Sequence, residues 1–439
     1  MTRHLVFIAA SFTTVLLAPC AHAWGGPHGP ITRAALDALP AWQQEAFGAE
    51  RQPLASLYCA LPDLVYSRAD LAPYAMMDSR PGVKYLVGLH LPASPTDNYA
   101  LLSDFLERAV DALRTNNVAG AARYAGTLVH MLQDWSCPAH VVPDDNMFTL
   151  FKQFLPPPER YAHVPLHSLV ENGTFTVVID GYRPSLTGTS VPEAAFILLR
   201  RSQEGTRFAR GQVVPILNAL YAGETNAWNA AQQTAACFGA RLAADALYTL
   251  ICLARNRFEP DEVRSLQSID LTRYAPLEAP DLYLPQAAFF SRPYWGYATV
   301  GASLRDGKTA VPLALRVSEA GRDTVKVYEH GVGVGTRSVL TYLIPADVYA
   351  RFQVSAGLHA ELGEGGHVRF EILGNGKRLA DLPPIRGTRP AYTLDLPLAG
   401  ITNLQLIATS AGGDGSGNHA VWGAPRLLKD RVSHQERVE

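Results

Sequence analysis

His130 and Asp134 stand four residues apart in a stretch with helical apolar spacing, so both side chains leave one face a turn apart and can reach a common ion. His167 and Glu171 repeat that interval in a shorter segment with Pro165 in its first turn and Gly173 at its end. His140 lies just past Pro138, on the loop leaving the first pair, where it can face both. Upstream, Asp63 sits in Leu61-Pro62-Asp63 and His90 in Gly88-Leu89-His90. A titratable group among such apolar neighbours reads as one aimed at a buried site. Six of the 13 histidines fall from His28 to His167, and none lies between His167 and His330. One such pair carries little weight, because most histidines are ordinary core or surface residues. Two pairs joined by a third histidine point to a metal centre.

The chain start adds to that set. Met1 to Ala23 has a basic beginning at Arg3 and His4, an apolar run from Leu5 to Leu17 and a small-x-small ending at Ala21, His22 and Ala23. This reads as a secretory signal over residues 1–23. The run is shorter than the roughly 20 residues that span a bilayer, and no later stretch of that length is free of charges, so a soluble, secreted or periplasmic protein is expected. Lipid anchoring at Cys20 is the weaker reading, because Pro19 is a poor neighbour for that processing. Cleavage after Ala23 would make Trp24-Gly25-Gly26-Pro27-His28 the new terminus, with a free amine, a carbonyl and an imidazole within reach of one ion.

Positioning these groups calls for helices. From Ile31 to about Phe258 apolar residues recur at helical intervals, as in Tyr99, Leu102, Phe105, Leu106, Val110 and Leu113, with Asn98, Asn117 and Asn226 as helix starts. Pro156 to Pro158 and the segment from Gly181 to Pro192 read as loops. Beyond Pro260 the texture changes to short β-branched runs, Ser338 to Ile344, Ala350 to Ser355, His367 to Leu373 and Leu404 to Thr409, separated by glycine-rich turns. The expected organisation is a mostly all-α domain over 24–258, a proline-bearing linker over 259–290, an all-β sandwich over 291–429 and a tail over 430–439.

With 439 residues, 48% of them hydrophobic and 18% charged, the chain can bury full cores, which excludes disorder and a fibrous protein. Lys+Arg 38 against Asp+Glu 40 leaves no long-range positive field for nucleic acid or an anionic membrane, and no stable nucleic-acid partner is expected. Cys59, Cys137, Cys237 and Cys252 remain after signal removal. Cys237 and Cys252 share one expected helix, where fifteen residues at about 1.5 Å each put them far beyond the ~7 Å reach of a disulfide. Cys59 with Cys137 stays open, as does the reading of all four as buried thiols.

Trp24, His28, Asp63, His90, His130, Asp134, His140, His167 and Glu171 resemble, in order, type and approximate spacing, the nine ligands of the zinc-dependent phospholipase C family and its relatives, the single-strand-specific nucleases. The resemblance covers roughly Trp24 to Leu253 and implies a helical domain with three zinc ions in a cleft. It implies that Asp63, His90, His130 and Asp134 hold one zinc, that His140, His167 and Glu171 hold a second, and that Trp24 and His28 hold the third with a shared Asp134. The chemistry implied is phosphodiester hydrolysis by a zinc-activated water, with Asp63 as a proton acceptor. The short gap from Trp24 to His28 resembles the nuclease branch and Glu171 the phospholipase branch; phospholipase C is taken first. A phospholipid substrate and peripheral membrane contact follow, with a nuclease, or a glycan-binding adhesin with an inactive helical half, as alternatives. His163 matches no ligand and reads as a supporting or surface residue; Asp144 and Asp145 read as solvated turn residues.

A second resemblance lies in Trp295-Gly296-Tyr297, His330-Gly331-Val332-Gly333-Val334, Tyr349-Ala350-Arg351-Phe352 and His419-Ala420-Val421-Trp422-Gly423. These residues are similar to the NPCBM family of carbohydrate-binding modules found beside glycoside hydrolases, which implies a glycan ligand. For Trp295, Tyr297 and Trp422, packing in a sandwich core outweighs stacking on a sugar. Gly331 to Gly335 mimics a phosphate loop but no helix follows it, and Asp414 alone is too little for calcium.

If the amine of Trp24 is a ligand, one residue added before it is expected to remove one zinc per chain and most activity. Metal analysis of the extended protein checks this, and an unchanged zinc content refutes it.

Overall fold

A computed structural model describes residues 26–65, 67–76, 89–92, 94–141, 155–274, 298–387, 389–413 and 415–429. Trp24, Trp295, Tyr297, Asp144, Asp145, Asp414, the segment read as a signal and the tail lie outside the described residues. Nine α-helices occur among the described residues: α1 (His28–Asp37), α2 (Arg51–Ser56), α3 (Leu61–Leu64), α4 (Pro95–Arg114), α5 (Val118–Asp134), α6 (Leu166–Glu171), α7 (Val191–Ala222), α8 (Thr225–Arg255) and α9 (Pro260–Ser265).

Helix α5 is the central positioning element. Asn117 caps it by accepting a hydrogen bond from Gly120 N, and every residue from Ala125 to Asp134 is buried. Gly126 lets the helix approach the 3-10 turn Tyr58–Ala60, since a Cβ there would lie 2.4 Å from the Tyr58 carbonyl oxygen. The long helices α7 and α8 form a hairpin behind it. Gly223, at φ 84°, closes α7 in the left-handed conformation that costs glycine little. By length and composition α8 could cross a membrane, but 83% of its most apolar window is buried, so here it is a core helix.

Some expected boundaries move. Helix α4 begins one turn earlier than Asn98, because Ser94 caps it by accepting from Asp97 N; Asn98 is buried inside the helix. Helix α8 ends at Arg255, where Asn256 turns left-handed.

The second half is β-rich, with β1 (Ser268–Asp270), β2 (Thr299–Val300), β3 (Ala302–Arg305), β4 (Thr309–Glu319), β5 (Arg322–Tyr328), β6 (Gly331–Val334) and β7 (Ser338–Leu343). It continues with β8 (Arg351–Leu358), β9 (His367–Gly374), β10 (Lys377–Asp381), β11 (Ile385–Arg386), β12 (Tyr392–Pro397), β13 (Asn403–Ser410) and β14 (Ala420–Leu428). One sheet runs β12-β8-β14-β6-β2 with β1 on β14, a second runs β10-β9-β13-β7 with β11 on β9, and β3-β4-β5 form a third. Alternate residues of β9 and β13 point inward, so Phe370, Ile372, Leu404 and Leu406 meet Phe352, Val354 and Trp422 in one core. Trp422 is fully buried and packs edge-on to Phe370 at 5.2 Å, which excludes it as a sugar-stacking face. Gly331 and Gly333 lie in β6, as expected of a strand rather than a phosphate loop.

The expected linker is corrected in its first half. Residues 259–274 carry α9, β1 and a 3-10 turn, and β1 pairs antiparallel with the end of β14 because Ser268 and Ile269 meet Leu428 and Leu427. Phe196 of α7 also enters the sandwich core, stacked on Tyr274 at 4.3 Å, and Lys429 Nζ meets Glu193 Oε2 at 2.7 Å. The two halves are thus joined by a strand, an aromatic pair and a buried ion pair.

Gly126→Ala is expected to destabilise by about 1–3 kcal/mol, because backbone must shift to admit the methyl group. A lowered thermal unfolding midpoint checks it; an unchanged one shows that α5 can move away from the turn freely.

Candidate metal centre

Five of the expected residues converge where α1, α3 and α5 meet. His28 opens α1, Asp63 lies in the single turn of α3, and His130 and Asp134 come from the buried end of α5. His90 approaches from the segment before α4. Asp134 is their hub: Oδ1 lies 3.4 Å from His28 Nε2, and Oδ2 lies 3.2 Å from His90 Nδ1 and 3.1 Å from His130 Nε2. Asp63 faces the same space, 3.7 Å from His90 and 3.9 Å from His28. The rings stack accordingly, His28 on His130 at 4.3 Å and His90 edge-on to His130 at 5.1 Å.

A second group sits beside the first. His140, in the 3-10 turn Pro138–His140, and His167, opening α6, bring Nε2 atoms to 2.8 Å and 2.6 Å from Glu171 Oε1. His140 Nδ1 lies 3.9 Å from Asp134, which joins the groups. Three sets have ligand atoms within 4.8 Å of one another: His28, His130 and Asp134; Asp63, His90 and His130; and His140, His167 and Glu171. His163 is exposed and stays apart.

The surrounding polar groups set which nitrogen of each imidazole faces inward. Gln133 Nε2 donates to Thr32 Oγ1 at 2.8 Å, so its Oε1 accepts from His28 Nδ1–H at 2.6 Å. His130 Nδ1–H donates to the Cys59 carbonyl and His140 Nδ1–H to the His90 carbonyl, at 2.9 and 2.8 Å. Each outward hydrogen bond leaves Nε2 facing a carboxylate, so a proton or a metal cation must sit between the two. His28 Nε2, Asp63 Oδ2, Asp134 Oδ1 and Glu171 Oε2 are buried and make no hydrogen bond. This donor set of imidazole nitrogen and carboxylate oxygen suits zinc.

Protons reveal the same crowding. Burial, with His130 as a like charge, lowers His28 to about 3. Burial raises Asp63 to about 6, with Asp134 adding to the effect. For His130 and His140 burial acts downward, but Asp134 together with Asp63 or Glu171 outweighs it and raises each to about 9. Burial also works against ionising Asp134, yet His130 and His140 hold it well below the usual carboxylate range. Divalent cations, each neutralising several such groups at once, suit this cluster.

The residues that sequence reasoning missed are the supporting ones: Gln133, Thr32 and the carbonyls of Cys59 and His90. Gln133 adjoins Asp134 in the chain, but nothing in its type marks it as the partner of His28, 105 residues away. Cys59, Cys137, Cys237 and Cys252 are free thiols, so the open Cys59–Cys137 bridge is absent. Burial pushes the Cys59 thiol up to about 12, which makes it inert. Gly26, the first described residue, donates to Asn172 Oδ1 at 3.3 Å and so holds the start of the described chain beside α6.

Comparison with known proteins divides along the same line. The family model of the NPCBM/NEW2 domain matches residues 295–428, so the sandwich carries that domain. No curated protein matches the chain. Among solved structures, the CBM51 module of Clostridium perfringens GH95, in complex with methyl-galactose, is 23% identical with a TM-score of 0.30, over 37% of this chain and 99% of that one. Clostridium perfringens alpha-toxin from an avian strain is 10% identical with a TM-score of 0.33, over 92% of this chain and 98% of that one. The alpha toxin of Clostridium absonum is 11% identical with a TM-score of 0.33, over 93% and 84%. The fold class is a helical half followed by a β-sandwich.

Gln133→Leu is expected to weaken zinc binding by about 10- to 100-fold, since His28 would lose the acceptor that sets its tautomer. Competition with a chromophoric chelator checks this; unchanged affinity would show that His28 needs no such support.

Proposed function

We propose that the chain is a secreted zinc-dependent phosphodiesterase of the phospholipase C kind, with an accessory module that binds glycans. One observation carries the reading: eight of the nine residues of the ligand pattern come together in two joined, buried groups, drawn from segments up to 143 positions apart in sequence, with lone pairs turned inward. The ninth, Trp24, is assigned by the pattern alone. Three zinc ions are proposed, held as the resemblance implies.

Zinc would supply charge to neutralise a phosphodiester and lower the pKa of a water toward about 7. The protein's own groups do the rest. Asp134, fully buried between both groups, keeps them at a fixed separation. Asp63, with Oδ2 free of hydrogen bonds, is placed to take a proton from an attacking water. His90, at 19% exposure, is the most open of the imidazoles around Asp63 and Asp134. Signal removal would complete the site by freeing the amine of Trp24. A sandwich tethered to glycan-bearing surfaces would raise the local concentration of a membrane phospholipid.

A nuclease on the same scaffold is the second reading, favoured by the short interval from Trp24 to His28. Turnover of phosphatidylcholine vesicles against single-stranded DNA, with chelator and with zinc restored, separates them. Lipid hydrolysis that chelator abolishes and zinc restores is expected; zinc-dependent DNA cleavage without lipid hydrolysis would replace the first reading by the second. Fewer than two zinc ions per chain would instead favour an inactive helical half on an adhesin. Asp134→Asn is expected to lower zinc content and activity more than His28→Ala, because it touches both groups. Equal losses would refute the bridging role.

A further inference from the structure

A cavity of about 490 Å³ lies where the two halves meet, lined from α7, α9, β1, the turn after it, the residue before β6 and the end of β14. It shares no residue with the metal cluster and is independent of the phosphodiesterase reading. Four arginines line it: Arg200, Arg201, Arg273 and Arg426. Arg200 is committed to Glu204 at 2.5 Å, and Arg201 to Asp245 and Ser185. The side chains of Arg273 and Arg426 are exposed and make no hydrogen bond or ion pair among the described residues.

Neither carboxylate in the wall pairs with these two arginines. Glu262 accepts from Leu186 N at 2.8 Å and from the Tyr248 hydroxyl at 2.6 Å. Asp270 stands directly across the ladder from Arg426, yet its Oδ1 accepts from Thr272 N and Oγ1, while its Oδ2, buried and without a hydrogen bond, lies 2.9 Å from His330 Nδ1. Two guanidiniums are left without an acceptor among the described residues. Tyr274, also in the wall, has a buried hydroxyl that makes no hydrogen bond.

The form of the ligand follows. Guanidiniums facing one cavity suit a carboxylate or sulfate. A bare inorganic anion, the size of a few waters at about 30 Å³ each, would leave most of the space unfilled. Leu186, Ile197, Leu266 and Ile269 offer the carbon face of a ring something to rest on, and Tyr274 and Ser268 offer oxygens to ring hydroxyls. Tyr274 is the only aromatic six-membered ring in the lining among the described residues, and one of its faces is stacked on Phe196 with ring planes 2° apart, so a flat base finds a poor platform there. We propose that this junction cavity binds an acidic sugar, a hexuronate or a sulfated hexose, through Arg273 and Arg426.

Calorimetric titration of the full zinc-loaded chain with glucuronate, glucose 6-sulfate, glucose, inorganic sulfate and AMP tests it. Both acidic sugars are expected to bind at least about tenfold more tightly than glucose and sulfate, and the R273Q/R426Q variant to lose that preference. Because neither arginine has a partner among the described residues, the variant should keep the wild-type unfolding midpoint and zinc content. Equal binding of glucose, no binding of either acidic sugar, or an unchanged preference in the variant overturns the proposal. Sulfate or AMP binding as tightly as the sugars overturns it as well, by making the cavity a plain anion or nucleotide site. Activity on phosphodiesters plays no part in the readout, so failure of the proposed function leaves this test standing.

Discussion

Three carboxylates and five imidazoles are drawn out of water into contact, and the rest of the helical half is arranged around the cost of doing so. Unpaired buried charge is prohibitively unfavourable, and like groups at 3–4 Å cannot all adopt their preferred protonation states. Asp134 shows the tension most clearly: it is fully buried and faces His28, His90, His130 and His140. Divalent cations would ease this crowding, because each would place positive charge between several lone pairs at once. A cluster of this kind links metal binding to stability.

Scaffold and site are therefore one design. Close approach of α5 to the Tyr58–Ala60 turn, permitted by Gly126, brings the Cys59 carbonyl to His130. The same helix carries Gln133, which orients His28 on α1. His90 serves twice, with its ring toward Asp134 and its carbonyl toward His140. Small backbone shifts on any of these elements would turn a lone pair away from the centre. At the other end, β1 joins the sandwich sheet and Phe196 enters its core, so a cavity forms between elements that neither half would provide alone.

Much of this was legible in the chain. The intervals His130 to Asp134 and His167 to Glu171 are a helical turn each, and both fall on helix as the apolar spacing requires. Most strands fall within a few residues of where β-branched runs placed them, because alternation with one buried face leaves little freedom of register. What misled was local. Asn98 has a capping side chain, but Ser94 has one too and precedes Pro95, so the helix starts there. The prolines around residue 260 suggested a linker, yet Pro260 fits the first turn of α9, and Ser268 to Asp270 find an open edge on β14.

By itself, the sequence determined the two textures, helical then β, and the identities of the residues able to hold metal, because periodicity and donor chemistry are properties of residue type and spacing. Only the tertiary structure decided which lone pairs point inward and which carbonyls hold the rings. It alone showed that the cysteines stay unbridged and that arginines from both halves surround one cavity. Those outcomes depend on distances between segments far apart in the chain, which arise when helices and sheets pack and are written in no local pattern.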